Sequence, residues 1–279
     1  MWKIRFRDRS KIYQVPFIDS HCHIDLLYER LNFNGTYKEF LQRFSDCYPS
    51  NFAGCIAIFC YPRNFELSEY LLAEEENVWI SIGCHPKNAI QYNEMVEDNM
   101  LKIFKHPKVV AVGEIGLDYY GNQKQFESIQ KSVFKRQLKI GLEVKKPIVI
   151  HCRDAEDDCL QIMEEIIPRN YKIQCHCFSG NYSQAKRWLS AFPNLYLGLT
   201  PVVTFNGAHA AHDVARNIPL NRLLLETDSP YFVPKPVKQV ISLPGFALTV
   251  AEEVAHRRGI SVQEVLRHCR DNMTSLFGI

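Results

Sequence analysis

Two histidines two positions apart, His21 and His23, end the apolar part of the stretch "FIDSHCHIDLL" at residues 17–27. His85, His151 and His176 also stand at the ends of apolar runs, as do the carboxylates Glu114 and Asp228. Five of the chain's ten histidines thus occupy equivalent places, too many to read each as ordinary packing. Imidazole nitrogens with carboxylate oxygens suit zinc, manganese and other first-row divalent ions, and carboxylates with water also admit magnesium. His21, His23, Glu114, His151, His176 and Asp228 make six candidate ligands, more than one catalytic zinc uses while keeping an open position. Two divalent ions roughly 3.5–4 Å apart, bridged by one carboxylate, would use them economically. Glu114 is the natural bridge. His21, His23 and Asp228 would share one ion, and His151 and His176 the other. Such a pair would activate hydroxide near neutral pH, with Asp228 free to accept the water's proton.

Other side chains surround this set. Arg153 lies two residues beyond His151, and its planar fork could grip a phosphate; the alternative is a surface salt bridge to Glu156 or Asp157. Glu226, two before Asp228, should point inward and needs a partner there, which suits a supporting role beside the ligands. Tyr119, Tyr120 and Tyr231 follow such runs, where bases could stack on them or where they could pack a loop. Phe178 is equally open between the two. Asp118 could orient a ligand, although capping a turn is its simpler use.

Positioning these groups requires a repeated element. Eight runs rich in Ile, Val and aromatic residues recur at 17–24, 54–60, 78–86, 109–118, 147–153, 171–180, 195–200 and 222–230. They are too apolar for one-faced antiparallel strands. Segments with helical spacing separate them, among them 126–144 and "EDDCLQIMEEI", which Asp154 and Asp157 are expected to cap. Eight alternations predict an α/β fold, a single (β/α)8 TIM-type barrel with its active site at the C-terminal ends of the strands. A doubly wound open sheet stays open, because alternation alone does not show closure. Residues 1–16 read as an N-terminal extension and 17–279 as the barrel, ending in two helices around "RRGIS".

Strand alternation separates the cysteines from the histidines. Residues i and i+2 share a face, so His21 and His23 point one way and Cys22 the other. By the same parity Cys84, Cys152, Cys175 and Cys177 should face the helical layer if their neighbouring histidines face the axis. The rival is a thiolate zinc site, which would turn the cysteines inward and the histidines out.

The bulk numbers add limits. The chain has 279 residues, 46% apolar and 23% charged, with a net charge of +2, so bulk electrostatics demand neither nucleic acid nor membrane. Any phosphate-bearing substrate must be held by local groups. The basic opening "MWKIRFRDRSK" reads as a solvated extension, with a targeting or nucleic-acid role as the alternative. No apolar run reaches membrane-spanning length and no signal-like start is visible, which predicts an intracellular protein, nuclear or cytoplasmic, and a monomer. Ten cysteines in such a setting read as reduced, buried thiols rather than disulfides.

The motifs "FIDSHCHID", "GCHP", "VGEIGLDYY", "PIVIHCRDA", "HCFSG" and "LLLETDSPYFVP" occur in this order from Phe17 onward, over nearly the whole chain. In this they resemble the TatD-like metal-dependent deoxyribonucleases, a branch of the metal-dependent hydrolases with TIM-barrel folds. "DLLYERLNFNGTYKEF" and "LPGFALTV" look closest to the catalytic domain of the second animal paralogue with this domain. The resemblance implies a nuclease acting on phosphodiesters of DNA or RNA, with 3′-to-5′ trimming or internal cutting, and two divalent ions (Mg, Mn or Zn). His21, His23, Glu114, His151, His176 and Asp228 match the family's metal-binding positions, and His85 matches a histidine near the scissile phosphate. The catalytic set is then Asp228, Glu114 and His85, and the substrate contacts are His85, Arg153, Tyr119, Tyr231 and Phe178. One departure is "KQVISLPGF", where many members carry a basic-Gly and Asn-x-Pro segment, so substrate contacts there do not carry over.

Two other functions fit the same residues. Related barrels hydrolyse small amides, esters or lactones, commonly with a modified lysine where this chain has Glu114. A non-catalytic nucleic-acid-binding protein could also retain the cluster, although its ligand set is complete.

Overall fold

The apolar runs form eight strands: β1 (Phe17–Cys22), β2 (Phe52–Phe59), β3 (Val78–Ile82), β4 (Val109–Asp118), β5 (Ile148–Arg153), β6 (Ile173–Cys175), β7 (Leu195–Leu199) and β8 (Leu223–Leu225). The computed structural model describes residues 13–235 and 237–279. In it the strands are all parallel and hydrogen-bond in chain order. The ends of this sheet meet. Cys22 bridges to Ser229, the Asp228 N–H donates to the His21 carbonyl at 2.9 Å, and the His23 N–H donates to the Ser229 carbonyl at 2.7 Å. That closure is what a barrel needs and an open doubly wound sheet lacks.

Among the described residues ten α-helices surround it: α1 (Ile24–Leu31), α2 (Tyr37–Arg43), α3 (Phe65–Glu74), α4 (Glu94–Ile103), α5 (Glu127–Val144), α6 (Glu156–Ile166), α7 (Tyr182–Ala191), α8 (His209–Asn217), α9 (Ala247–Arg258) and α10 (Val262–Phe277). Both strand faces are buried, which explains their unbroken apolar character. Ile18, Ile56, Ile58, Cys60, Val110, Val149, Tyr196 and Leu224 come from strands around the ring and meet in one cluster, so they fill the barrel. Cys55, Ala57, Ile80, Ile82, Ile115, Ile150, Leu197 and Leu225 join the helices in the other. From Tyr13 onward the extension is tied down. The Tyr13 hydroxyl bonds Glu252 Oε1 at 3.1 Å, and the Val15 N–H donates to Gln263 Oε1 at 3.2 Å. The basic residues 1–12 lie outside the described residues. No described helix is long and apolar enough to cross a membrane.

Two local expectations change. α6 starts on Ala155 with no side-chain cap, and Asp154 sits at φ +53° instead of capping. Asp157 lies in the first turn, where its charge suits the helix dipole, and pairs with Arg187. The runs at 78–86, 171–180 and 222–230 contain strands of only five, three and three residues. What remains of each run turns away from the sheet, with Cys177 at φ +43° and Asp228 at φ +53° in the left-handed region. Asp and Asn tolerate that conformation better than most side chains. The residues with chemistry stand on these turns.

Candidate active site

Glu114 and His151 lie within β4 and β5, and His21 within β1. His23 follows β1, His85 lies three residues past β3, His176 one past β6 and Asp228 three past β8. All are buried, between 0% and 7% exposed, at the C-terminal end of the barrel. β1 reaches this arrangement through an irregularity. Ile18 belongs to the barrel interior and Phe17 to the outer cluster, so strict alternation from Ile18 would turn His21 outward. The β1–β2 register shifts between Asp19 and Cys22, after which His21 and His23 face the centre.

The two oxygens of Glu114 divide the cluster. Oε2 lies 3.5 Å from His21 Nε2 and 3.6 Å from His23 Nε2, and Asp228 Oδ1 lies 3.7 and 3.3 Å from the same nitrogens. Oε1 lies 2.5 Å from His151 Nδ1, 2.8 Å from His176 Nε2 and 3.6 Å from His85 Nε2. One carboxylate therefore stands between two histidine pairs, with Asp228 on the β1 side. Burial alone would raise the Glu114 carboxyl, but the His176 imidazole beside it holds it well below the usual range. Burial likewise opposes the ionised Asp228, and His23, His176 and His21 outweigh it. At His176 burial works downward, yet Glu114, Glu226 and Asp228 lift the imidazole to about 10.

The outer ring nitrogens decide what each histidine offers inward. His151 lies between two carboxylates, Nε2 3.1 Å from Asp118 Oδ2 and Nδ1 toward Glu114, and a proton held on Nε2 by Asp118 would leave the Nδ1 lone pair for a metal at the centre. Burial raises the Asp118 carboxyl, but bonds from His151 and Lys87 bring it to about 2; Lys87 Nζ is 3.1 Å away. His85 is arranged oppositely. Its Nδ1 accepts the Lys87 N–H at 3.0 Å, so a neutral ring carries its proton on Nε2, aimed inward. Burial and His151 push this imidazole well down, which keeps it neutral. In that neutral form His85 presents an N–H toward the centre.

A second layer supports the His176 turn. Glu226, fully buried, accepts from Gln174 Nε2 at 2.6 Å and from the Cys177 N–H, and lies 3.7 Å from His176 Nδ1. Gly198 on β7 leaves the room it needs, since a Cβ there would sit 2.1 Å from Glu226 Oε2. Arg153 takes neither Glu156 nor Asp157, both of which bind Arg187. Its Nη1 donates to the Cys152 carbonyl at 2.8 Å and its Nη2 lies 3.5 Å from His176 Nε2. Arg153 and Phe178 line a cavity of about 430 Å³ beside the centre, together with Ser179, Gly180 and Trp188.

The sequence-expected substrate contacts are scattered. Tyr231 is 37% exposed and its ring meets His23 edge-on at 6.4 Å. Tyr119 is buried, and its hydroxyl donates to Asp158 Oδ2 at 2.8 Å, so it packs a loop and offers no free face to a base. Tyr120 beside it is exposed. The cysteine parity holds for Cys22 and Cys175, which join the outer cluster. It stops at Cys177, because β6 has ended and the chain has turned left-handed. Cys22 Sγ donates to the Ile56 carbonyl at 3.5 Å. Sequence reasoning passed over Cys60, whose thiol is 3.7 Å from Glu114 Oε2. Alternation after Ile56 and Ile58 would have found it. The same rule sets Asp118 on the Glu114 face, four residues on, where it meets His151.

These residues fit divalent metal. Both ring nitrogens of His21, and Nδ1 of His23 and of His176, are buried without a hydrogen-bond partner. Orphaned nitrogens beside ionised carboxylates suit a cation and suit little else. Ligand atoms of His21, His23 and Glu114 lie within 4.8 Å of one another, as do those of His85, Glu114 and His151, and those of His21, His176 and Glu226. The first two groups share Glu114.

Comparison with known proteins agrees with this geometry. The human "3'-5' RNA nuclease TATDN2" is 42% identical over 268 residues, 94% of this chain, although the chain spans only 35% of that protein. The Escherichia coli "Uncharacterized metal-dependent hydrolase YcfH" is 32% identical, covering 94% of this chain and 96% of its own. A Shigella flexneri "3'-5' ssDNA/RNA exonuclease TatD" is 28% identical over 78% of the chain and 84% of its own length. Among solved structures, the Escherichia coli TatD homologue YJJV superposes with a TM-score of 0.82 at 26% identity, covering 94% of this chain and 98% of that one. The family model described as "TatD related DNase" matches residues 18–278, and the chain belongs to that family.

Proposed function

We propose that the protein is a divalent-metal-dependent nuclease that hydrolyses phosphodiester bonds of RNA or DNA from the 3′ end. The observation that carries this reading is Glu114 standing between two histidine pairs, Oε2 toward His21 and His23 and Oε1 toward His151 and His176. Two ions held there, one also by Asp228, would supply Lewis acidity and an activated water. Magnesium, manganese and zinc all suit this mixed nitrogen and oxygen set. The names of the human and Shigella relatives support nucleic acid as the substrate.

The chain's own residues then divide the work. Asp228 Oδ1 receives the attacking water's proton as the water's oxygen bonds to phosphorus, the P–O3′ bond breaks opposite, and the leaving O3′ takes a proton from solvent water. His85, with its proton on Nε2, donates to a phosphoryl oxygen. The Arg153 fork faces the His176 side and neutralises charge on the phosphoryl group. Burial of the cluster keeps these bonds out of bulk water, where each would be weaker.

The test is chelation followed by metal add-back, with 5′-labelled RNA and DNA strands side by side. A metal-dependent ladder shortening from the 3′ end is expected, lost in Glu114→Gln and Asp228→Asn variants that still fold. Intact strands together with rapid turnover of a small aryl ester or lactone would overturn the proposal. A mobility shift without products would do the same.

A further inference from the structure

On the β8–β1–β2 side of the mouth, two tyrosines each lie between a histidine of the centre and an arginine. Tyr231, after β8, meets His23 at 6.4 Å, and the Arg30 guanidinium lies over its ring at 4.4 Å. Tyr61, after β2, lies nearly parallel to His85, 6° between planes at 6.3 Å, with the Arg63 guanidinium 5.4 Å from its ring centre. The two units are neighbours, since Arg63 reaches Glu29, the residue before Arg30 on α1. They are also braced. Asn64 Nδ2 donates to Asp25 Oδ2 at 2.7 Å, and Arg63 Nη2 reaches Glu29 at 3.4 Å, which ties the loop after β2 to α1. Arg30 is exposed, and the Arg63 side chain is 64% exposed.

Guanidinium planes and aromatic rings are the surfaces on which unpaired bases stack, and the guanidinium charge also favours the phosphates between them. We infer that Arg30, Tyr61, Arg63 and Tyr231 form a stacking platform for unpaired bases of a single-stranded nucleic acid whose scissile phosphate lies over Glu114. The inference deepens the nuclease reading and rests on it for the position of that phosphate. Glu29, itself 49% exposed, is the anion facing Arg63, and Asp25 is buried against Asn64, so the exposed surface of the platform carries two guanidiniums against one carboxylate beside the aromatic rings. A paired base cannot reach both units at once, because its faces are covered by its neighbours in the duplex.

The test compares wild type with Tyr61→Ala/Arg63→Ala on a 12-nucleotide single strand, on the same strand with abasic sites, and on its duplex. Loss of stacking is expected to raise KM for the normal strand about tenfold while kcat stays within about twofold. KM for the abasic strand should differ between the two proteins by much less. Binding is read separately in chelator, as quenching of 2-aminopurine in the single strand, which the double variant should lose. Equal KM and equal quenching in both proteins would overturn the platform and leave the nuclease reading intact. Variant-sensitive quenching without cleavage in any metal would retain the platform and remove the nuclease reading. Absence of both binding and cleavage would remove both.

Discussion

Asp118 Oδ2 lies 3.1 Å from His151 Nε2, on the opposite side of the imidazole from Glu114. The carboxylate orients the ring so that Nδ1 faces the centre. In Asp118→Asn the amide cannot do this reliably, and metal affinity is expected to fall roughly 10–100-fold. Competition with a fluorescent chelator measures it, and saturating metal should restore most turnover. Unchanged affinity would reduce Asp118 to a turn former for the Tyr120 N–H, which it also binds at 3.0 Å.

The same carboxylate carries a pH signature. Its pKa is lowered to about 2 by His151 and Lys87, against burial. A depressed carboxyl stabilises the fold above its unfolded value, and that contribution is lost as pH falls toward the folded value. Urea unfolding of metal-free wild type and Asp118→Asn should therefore differ above about pH 4 and converge between about pH 4 and 2. A difference that persists or grows with acid would contradict the pairing.

Gly198 is a packing requirement of the site. A Cβ would meet Glu226 Oε2 at 2.1 Å, pushing that carboxylate off Gln174 and the Cys177 N–H. Gly198→Ala is expected to cost on the order of 1–3 kcal/mol, the usual range for overpacking, and to weaken metal binding through His176. Thermal melts with and without metal check both. A wild-type melt with wild-type metal affinity would mean that the carboxylate has other room.

Much of this was legible in the sequence. His21, His23, Glu114, His151, His176 and Asp228 stand together because each ends or follows an apolar run, and a barrel gathers such ends at one mouth. The limits are physical. Alternation reads a strand only while it lasts, so it places Cys22 and fails at Cys177, where the backbone turns left-handed after three residues of β6. The inward turn of His21 depends on a register shift in β1, which a strand pattern does not record. Tyr61 and Arg63 stand on a short 3-10 turn with no periodicity to mark them. Tyr119 matched a plausible position, but only its bond to Asp158 reveals that it packs a loop.

The thiols give a check on the packing. All ten cysteines are free, nine are buried, and Cys152 alone is partly accessible. Burial pushes the Cys60 and Cys175 thiols well above the usual range, which removes the reactive thiolate. Iodoacetamide should label Cys152 first in the native protein and all ten only in denaturant, as peptide mapping would record. Early labelling of Cys22 would contradict its place behind the histidines.

The central claim is that Glu114 joins two ions. Electron paramagnetic resonance of the manganese-loaded protein, with the metal counted on the same sample, tests it most directly. Two ions per chain and an exchange-coupled spectrum are expected, with the coupling lost in Glu114→Gln. One ion per chain with an isolated six-line signal, unchanged in that variant, would contradict it.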